Sequence, residues 1–460
     1  MNIKDYIPRI VDKEINDLIA TYGAVSIKGP KYCGKTWTSM RHASSIFALD
    51  DPDGNYRNLR VASMDPNAAL EGGKPHLIDE WQLVPATWDA VRRRVDLNPG
   101  PGQYILSGSS VPAESGSEDP IERIRGGNLH SGFGRITTVR MRTMTLMESG
   151  LSDGRVRLGD LFDLNVPTSI CETNSIDGII DMVMCGGWPG NLRLDPDHRI
   201  LAVSRYPDEI CEKDLPRIDS TKSPYKMKML LRSLSRNEST LAKYTTIAAG
   251  MKEYDDESMT DETVKNYISV LERMHLIENQ PAFNPNLRSS VRVGKSPKRH
   301  LTDPALAIAS MGLSKKMLLD DLELFGFMFE AMCERDLQVY ANSMGGRLYH
   351  YRDGSGREID AIVELPDGRW GAFEIKLGAN QIDDAADDLL DVGRMIANDE
   401  NGRPPEFMCV ISGTGGATYR REDGVLVVPI TSLGCRSGRT PLGGSIDGFC
   451  LSSRMMLHLL

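Results

Sequence analysis

The stretch AVSIKGPKYCGKTWTSM, residues 24–40, decides how this chain is read. Val25 and Ile27 alternate with smaller or polar neighbours in a short strand pattern, and a segment able to form a helix begins at Lys35. Between them Gly29-Pro30-Lys31-Tyr32-Cys33-Gly34-Lys35-Thr36 fits GxxxxGK[ST] in the strand–loop–helix setting that a phosphate-binding loop requires. Gly29 and Gly34 let backbone N–H groups curl around phosphate oxygens, and the helix N-terminus adds a favourable dipole. Lys35 is expected to reach the β- and γ-phosphates, and the Thr36 hydroxyl to ligate magnesium.

Downstream, Leu77-Ile78-Asp79-Glu80 is a short apolar strand ending in two carboxylates. About forty residues beyond a phosphate loop, Asp79 is expected to hold magnesium and Glu80 to act as general base on the attacking water. A third strand, QYILSGSS, brings Ser107 to its tip, either to orient water or γ-phosphate or as a plain strand-to-loop turn. Arg135 is the candidate arginine finger acting on a neighbouring subunit's nucleotide, with Arg123 and Arg125 competing for the role.

With 460 residues the chain is too long for one core, and several domains are expected. A charged N-terminus and the lack of any apolar run near 20 residues lead to the expectation of a cytoplasmic protein without a membrane partner. The eight cysteines are scattered without CxxC or Cys/His zinc spacing, so they read mostly as small buried hydrophobes. A net charge of -10 argues against indiscriminate polyanion binding, although a local basic groove is compatible with it.

Residues 161–236 read as a helical lid and connector, and residues 237–312 as a winged helix. Ser258 or Thr260 caps a helix on which Val264, Tyr267, Ile268, Leu271 and Met274 fall at helical spacing. HLIENQPAF and VRVGK follow like the strands of a wing. The helix has only Lys265 and Arg273 against Asp261, Glu262 and Glu272, whereas the wing carries Arg288, Arg292, Lys295, Lys298 and Arg299. DNA binding and a purely structural role both remain open readings of this domain.

In the last third, YHYRDGSGREIDAIVEL and WGAFEIKLG read as strands joined by Pro366-Asp367-Gly368. Period-2 alternation puts Glu374 and Lys376 on one face, near Asp360. Glu330 lies on a preceding, otherwise apolar helix face. Two readings compete: the solvent face of a half-exposed hairpin, or carboxylates Glu330, Asp360 and Glu374 holding Mg²⁺ or Mn²⁺ while Lys376 counters charge on a scissile phosphate.

Lys35-Thr36, Asp79-Glu80, LSGSS, Gly134-Arg135, CGGWPGNL (185–192) and RYPDEICEKDLPRI together resemble the bacterial and archaeal AAA-type ATPases with a C-terminal nuclease-like domain of unassigned function. Asp360 and Glu374-x-Lys376, with Glu330 upstream and Gln381 a weaker match, are similar to the PD-(D/E)XK nucleases. The resemblance implies a multidomain α/β chain. An AAA-type P-loop domain (1–160) with a doubly wound parallel sheet precedes the lid and winged helix, followed by a PD-(D/E)XK-like domain (313–434) and a tail (435–460). It also implies ATP as ligand, homo-oligomers and DNA as partner. The activity to expect is ATP hydrolysis coupled to a nuclease-like domain, or an ATP-switched DNA- or protein-binding regulator that does not cleave.

Overall fold

A computed structural model of the chain describes residues 5–110, 131–252, 259–285, 296–398 and 402–435. Arg123, Arg125, Ser258, the wing residues Arg288, Arg292 and Lys295, and the tail from 436 onward lie outside the described residues.

The N-terminal domain is built on β1 (Ala24–Lys28), β2 (Ser45–Ala48), β3 (His76–Asp79), β4 (Tyr104–Gly108) and β5 (Ile136–Arg140). All pair in parallel, in the order β2-β3-β4-β1-β5. Alternation along the strands divides their side chains between two cores. Val25, Ile27, Leu77, Ile105 and Val139 pack with Ile15 of the helix Asp12–Thr21. Ala24, Ile78, Tyr104, Leu106 and Ile136 pack with Trp88, Val91 and Val95 of the helix Ala86–Leu97. A sheet covered on both faces offers ligands only the rim beyond its strand ends. The C-terminal ends of β1, β3 and β4 meet there.

The chain then interleaves with its own C-terminal part. Strand β6 (Val156–Arg157) pairs with residues 433–434, and the Ser152 hydroxyl donates to Leu433 O at 2.7 Å. Strand β7 (Ser169–Ile170) adds to the edge of the C-terminal sheet. The linear division at residue 160 is therefore crossed by strand pairing that sequence distance concealed. Helices follow, including Tyr244–Lys252 and Asp261–Arg273, the second capped by the Thr260 hydroxyl on the Thr263 N–H. A two-stranded antiparallel ribbon comes next: β8 (Ile277–Gln280) and β9 (Lys298–Leu301), with Glu278 opposite His300 and Gln280 opposite Lys298. The expected second wing strand, VRVGK at 291–295, lies outside the described residues; KRHL supplies β9 instead.

The C-terminal sheet comprises β10 (Arg347–Arg352), β11 (Glu358–Glu364), β12 (Trp370–Lys376), β13 (Phe407–Ser412), β14 (Ala417–Arg420) and β15 (Leu426–Pro429), in the order β10-β11-β12-β13-β15-β14-β7. The short β16 (Leu433–Gly434) closes on β6. The long helix Leu322–Ser343 covers one face through Phe325, Phe329 and Tyr340. The helix Ile382–Asn398 covers the other through Ala386, Leu389 and Val392. Among the described residues no helix is long and apolar enough to cross a membrane.

Candidate functional site

Both loop glycines are required by geometry. Gly34 sits at φ +100°, a conformation costly for any side chain, and caps the helix Lys35–His42. A Cβ on Gly29 would stand 2.1 Å from Met141 O, just after β5. Lys35 is buried and its ammonium donates to Pro30 O at 2.8 Å, within the loop it serves. Tyr32, at φ 65°, lies 56% exposed at the loop tip, whereas Cys33 is fully buried beneath it.

The Thr36 hydroxyl donates to Asp79 Oδ1 at 3.3 Å. Burial, and then the neighbouring Glu80, push the Asp79 carboxyl up to about 6, while the hydroxyls of Ser107 and Thr36 favour its charged form. A hydroxyl and a buried carboxylate whose charge lacks compensation are a donor set that fits magnesium. Glu80 takes a left-handed backbone, φ 53°, and its carboxylate is held by the Gln82 amide and, at 3.4 Å, by the Ser109 hydroxyl. Ser107 pairs in register with Asp79 on the next strand and is fully buried, and its hydroxyl, near that carboxylate, makes no hydrogen bond among the described residues.

Several elements the motif does not contain fasten this loop. Buried Arg9 donates to Cys33 O and Arg142 O, both at 2.9 Å, and pairs with Glu148. Pro189 of the Gly-Gly-Trp-Pro segment lies against Gly34, and Met144 N–H donates to Gly187 O at 2.7 Å. That segment, singled out in the sequence only by resemblance, is part of the loop's surroundings. Lys31 pairs with Asp214 at 2.7 Å, and the Tyr206 hydroxyl donates to Lys31 O, so the 206–214 stretch sits over the loop.

Arg135 is not brought to this rim. It precedes β5 at the opposite end of the sheet, pairs with Asp96 at 2.6 Å, and lies roughly 15 Å of strand away from the phosphate loop. Arg140 and Arg142 occupy the near end. Both pair with Glu278 of β8 at 3.0 Å, and Arg140 also donates to Ile277 O. Beside them His275, at φ 59° and 8% exposed, has an Nε2 with no hydrogen-bond partner among the described residues. Burial, then the charges of Arg140, Lys28 and Lys35, hold its pKa down to about 3, so its ring is neutral. Arg9, His275 and Glu278 escaped the sequence reading because their partners lie far away in the chain.

The C-terminal cluster is equally well assembled, but not as expected. Asp360 Oδ2 accepts from the Ile375 N–H at 2.8 Å, and Lys376 pairs with Glu374 at 2.7 Å and with Asp360 at 3.6 Å. Glu330 faces the same place, together with Glu334 one turn on, a residue missed in the sequence. The unexpected member is Lys298 from β9. Its ammonium pairs with Glu330, with Glu334 Oε1 at 3.0 Å, and donates to Asp360 O at 3.3 Å. Burial works against its charge, but Glu330, Glu334 and Asp360 outweigh that and raise its pKa. Burial likewise pushes Glu330 and Glu374 up. Among the described residues no group of three or more His, Cys, Asp or Glu is arranged to hold a metal ion. Lys298 and Lys376 thus take oxygens of Glu330, Asp360 and Glu374, the residues expected to ligate Mg²⁺ or Mn²⁺. Gln381 caps its own turn by accepting from the Gly378 N–H.

Of the wing cations, Lys298 and Arg299 lie within the described residues. Lys298 is buried, and Arg299 donates to Ala242 O at 2.7 Å while lying over the Tyr244 ring. Lys298 is thus committed to carboxylates, whereas Arg299 is half-buried with only neutral partners among the described residues, and Arg273 pairs with Asp219.

Residues 21–148 match the AAA domain, which supports ATP binding and hydrolysis there. Residues 176–317 and 325–433 match two domains of unknown function, DUF8612 and DUF4143. No curated protein sequence matches the chain. Among solved structures, the Walker-type ATPase PABY2304 of Pyrococcus abyssi is similar at 11% identity and a TM-score of 0.41, covering 67% of this chain and 96% of that one. A signal transduction ATPase with numerous domains (STAND) and a tetratricopeptide repeat sensor, PH0952 from Pyrococcus horikoshii, aligns at 14% identity and a TM-score of 0.17, covering 73% of this chain and 48% of that one. At these scores neither structure bears on function.

Proposed function

We propose that the chain is a magnesium-dependent ATPase whose turnover acts as a switch on its C-terminal nuclease-like domain. The observation that carries the reading is the Thr36 hydroxyl on Asp79 beneath a loop that also presents Lys35. Lys35 would neutralise β- and γ-phosphate charge, and Glu80, held by Gln82 and Ser109, would take the proton of the attacking water. Thr36 and Asp79 would hold magnesium, which supplies charge neutralisation on the phosphates when bound. Arg135 has a nucleotide to act on only across a subunit boundary, which is how homo-oligomerisation enters the proposal.

The link between the two ends is the β8–β9 ribbon, with the helices before it the unit we read as a winged helix. Through this link, hydrolysis would act on a domain cleaving DNA with Glu330, Asp360, Glu374 and Lys376. Lys298 favours the second form of the proposal: an ATP-switched regulator that binds DNA or a protein partner and does not cut. ATP turnover with and without magnesium, in wild type and Lys35→Ala, tests the switch. DNA digestion with Mg²⁺ or Mn²⁺, with and without ATP, against Asp360→Ala/Lys376→Ala tests the first form; cleavage lost in that variant would refute the second.

A further inference from the structure

We propose that Lys298 is the resident cation of the C-terminal carboxylate cluster, and that its ammonium keeps divalent metal out of that cluster. The inference rests on the non-cleaving form of the proposed function and explains it chemically.

Lys376 already occupies the lysine place beside Glu374, so Lys298 is an additional cation, delivered by another part of the chain. Its acceptors are a carboxylate oxygen of Glu330, one of Glu334 and the carbonyl oxygen of Asp360. Oxygens of this kind are what a hard divalent ion would take. The Lys298 side chain is 6% exposed and those of Glu330 and Glu334 are 13% and 2% exposed, so the ammonium has no solvent to withdraw into. A metal ion entering beside it would meet a like charge in a poorly screened interior. Backbone pairing of Lys298 with Gln280 fixes the stem, and His300, two residues on, lies 3.3 Å from the other Glu334 oxygen. Displacing the lysine therefore requires the ribbon to move.

The test is Mn²⁺ titration of the nucleotide-free full-length chain, read by electron paramagnetic resonance. All proteins carry Asp79→Asn so that binding at the phosphate loop does not contribute. With Lys298 in place, no saturable site is expected up to about 1 mM Mn²⁺. Lys298→Met leaves the carboxylates uncompensated and threatens folding, so the working variant is Lys298→Met/Glu334→Gln, which removes one charge of each sign. It is expected to gain one Mn²⁺ per chain, at least about tenfold tighter than any residual binding, and to lose it on adding Asp360→Asn. A saturable site in the Lys298 protein that Asp360→Asn abolishes would overturn the proposal. So would a folded Lys298→Met/Glu334→Gln chain without a site. If that variant does not fold, the Lys298 protein and its Asp360→Asn counterpart decide alone. Because ATP turnover is not read, failure here is distinct from failure of the ATPase assignment.

Discussion

Glu278 and Lys298 stand on the two strands of one ribbon, two residues apart in register, and each closes a different charged site. Glu278 holds Arg140 and Arg142 at the rim of the nucleotide-binding sheet. Lys298 fills the carboxylate cluster of the C-terminal domain. The two-stranded ribbon is thereby held by ion pairs on both sides.

Glu278→Ala leaves Arg140 and Arg142 without their shared carboxylate. Glu278 and Arg140 are partly exposed and Arg142 is buried, so the cost lies between that of an exposed pair and that of a fully buried one, about 1–3 kcal/mol. Chemical denaturation is expected to show a loss of that order, and an unchanged midpoint would mean that the ribbon is not held from this side.

Lys35→Ala removes only one lysine contact within the loop, worth about 1 kcal/mol. The same change removes the charge facing the phosphates, so turnover is expected to fall at least about 100-fold with the fold intact. Steady-state ATP hydrolysis beside a thermal melt separates these effects; unchanged turnover would refute the loop assignment.

Asp79→Asn is expected to stabilise the nucleotide-free protein while abolishing turnover. The carboxyl is raised from 3.8 to about 6. The folded state therefore holds a proton that the unfolded state has released, and stability falls as pH rises from 3.8 through 6. Above that window the penalty is complete, about 3 kcal/mol at most. Asparagine is free of it, and the gain should be present at pH 8 and absent at pH 3.5 in urea titrations.

His275→Asn is expected to flatten the acid side of the stability profile. The imidazole is held from 6.5 down to about 3, so its contribution is complete above pH 6.5 and is lost as pH falls towards 3. At pH 5 the wild type should have lost about 2 kcal/mol relative to the variant. Asp79 works in the opposite direction but is common to both proteins and cancels. Parallel profiles would mean that His275 is not held neutral beside Arg140, Lys28 and Lys35.

The strand Ala24–Lys28, the Gly29–Thr36 loop and the Asp79-Glu80 strand end were all legible, because each is local chemistry. Alternation, glycine spacing and paired carboxylates are written in consecutive residues, and the parallel sheet follows once they are placed. Asp360, Glu374 and Lys376 were legible for the same reason, sharing a hairpin whose register brings them together. Arg135 shows the limit. Its position before a strand was plain, but which end of the sheet it would reach depended on β5 running parallel to β1.

By itself, then, the sequence determined which residues could bind phosphate and which could gather as carboxylates, since both depend on neighbours a few positions apart. The tertiary structure alone decided what those groups meet: Arg9 and His275 around the loop, Glu278 on the arginines, and Lys298 within the acidic cluster. The physical reason is the same in each case. The meaning of a buried charge depends on the sign of what lies a few ångströms away in a poorly screened interior, and no local pattern records a partner contributed by a distant strand.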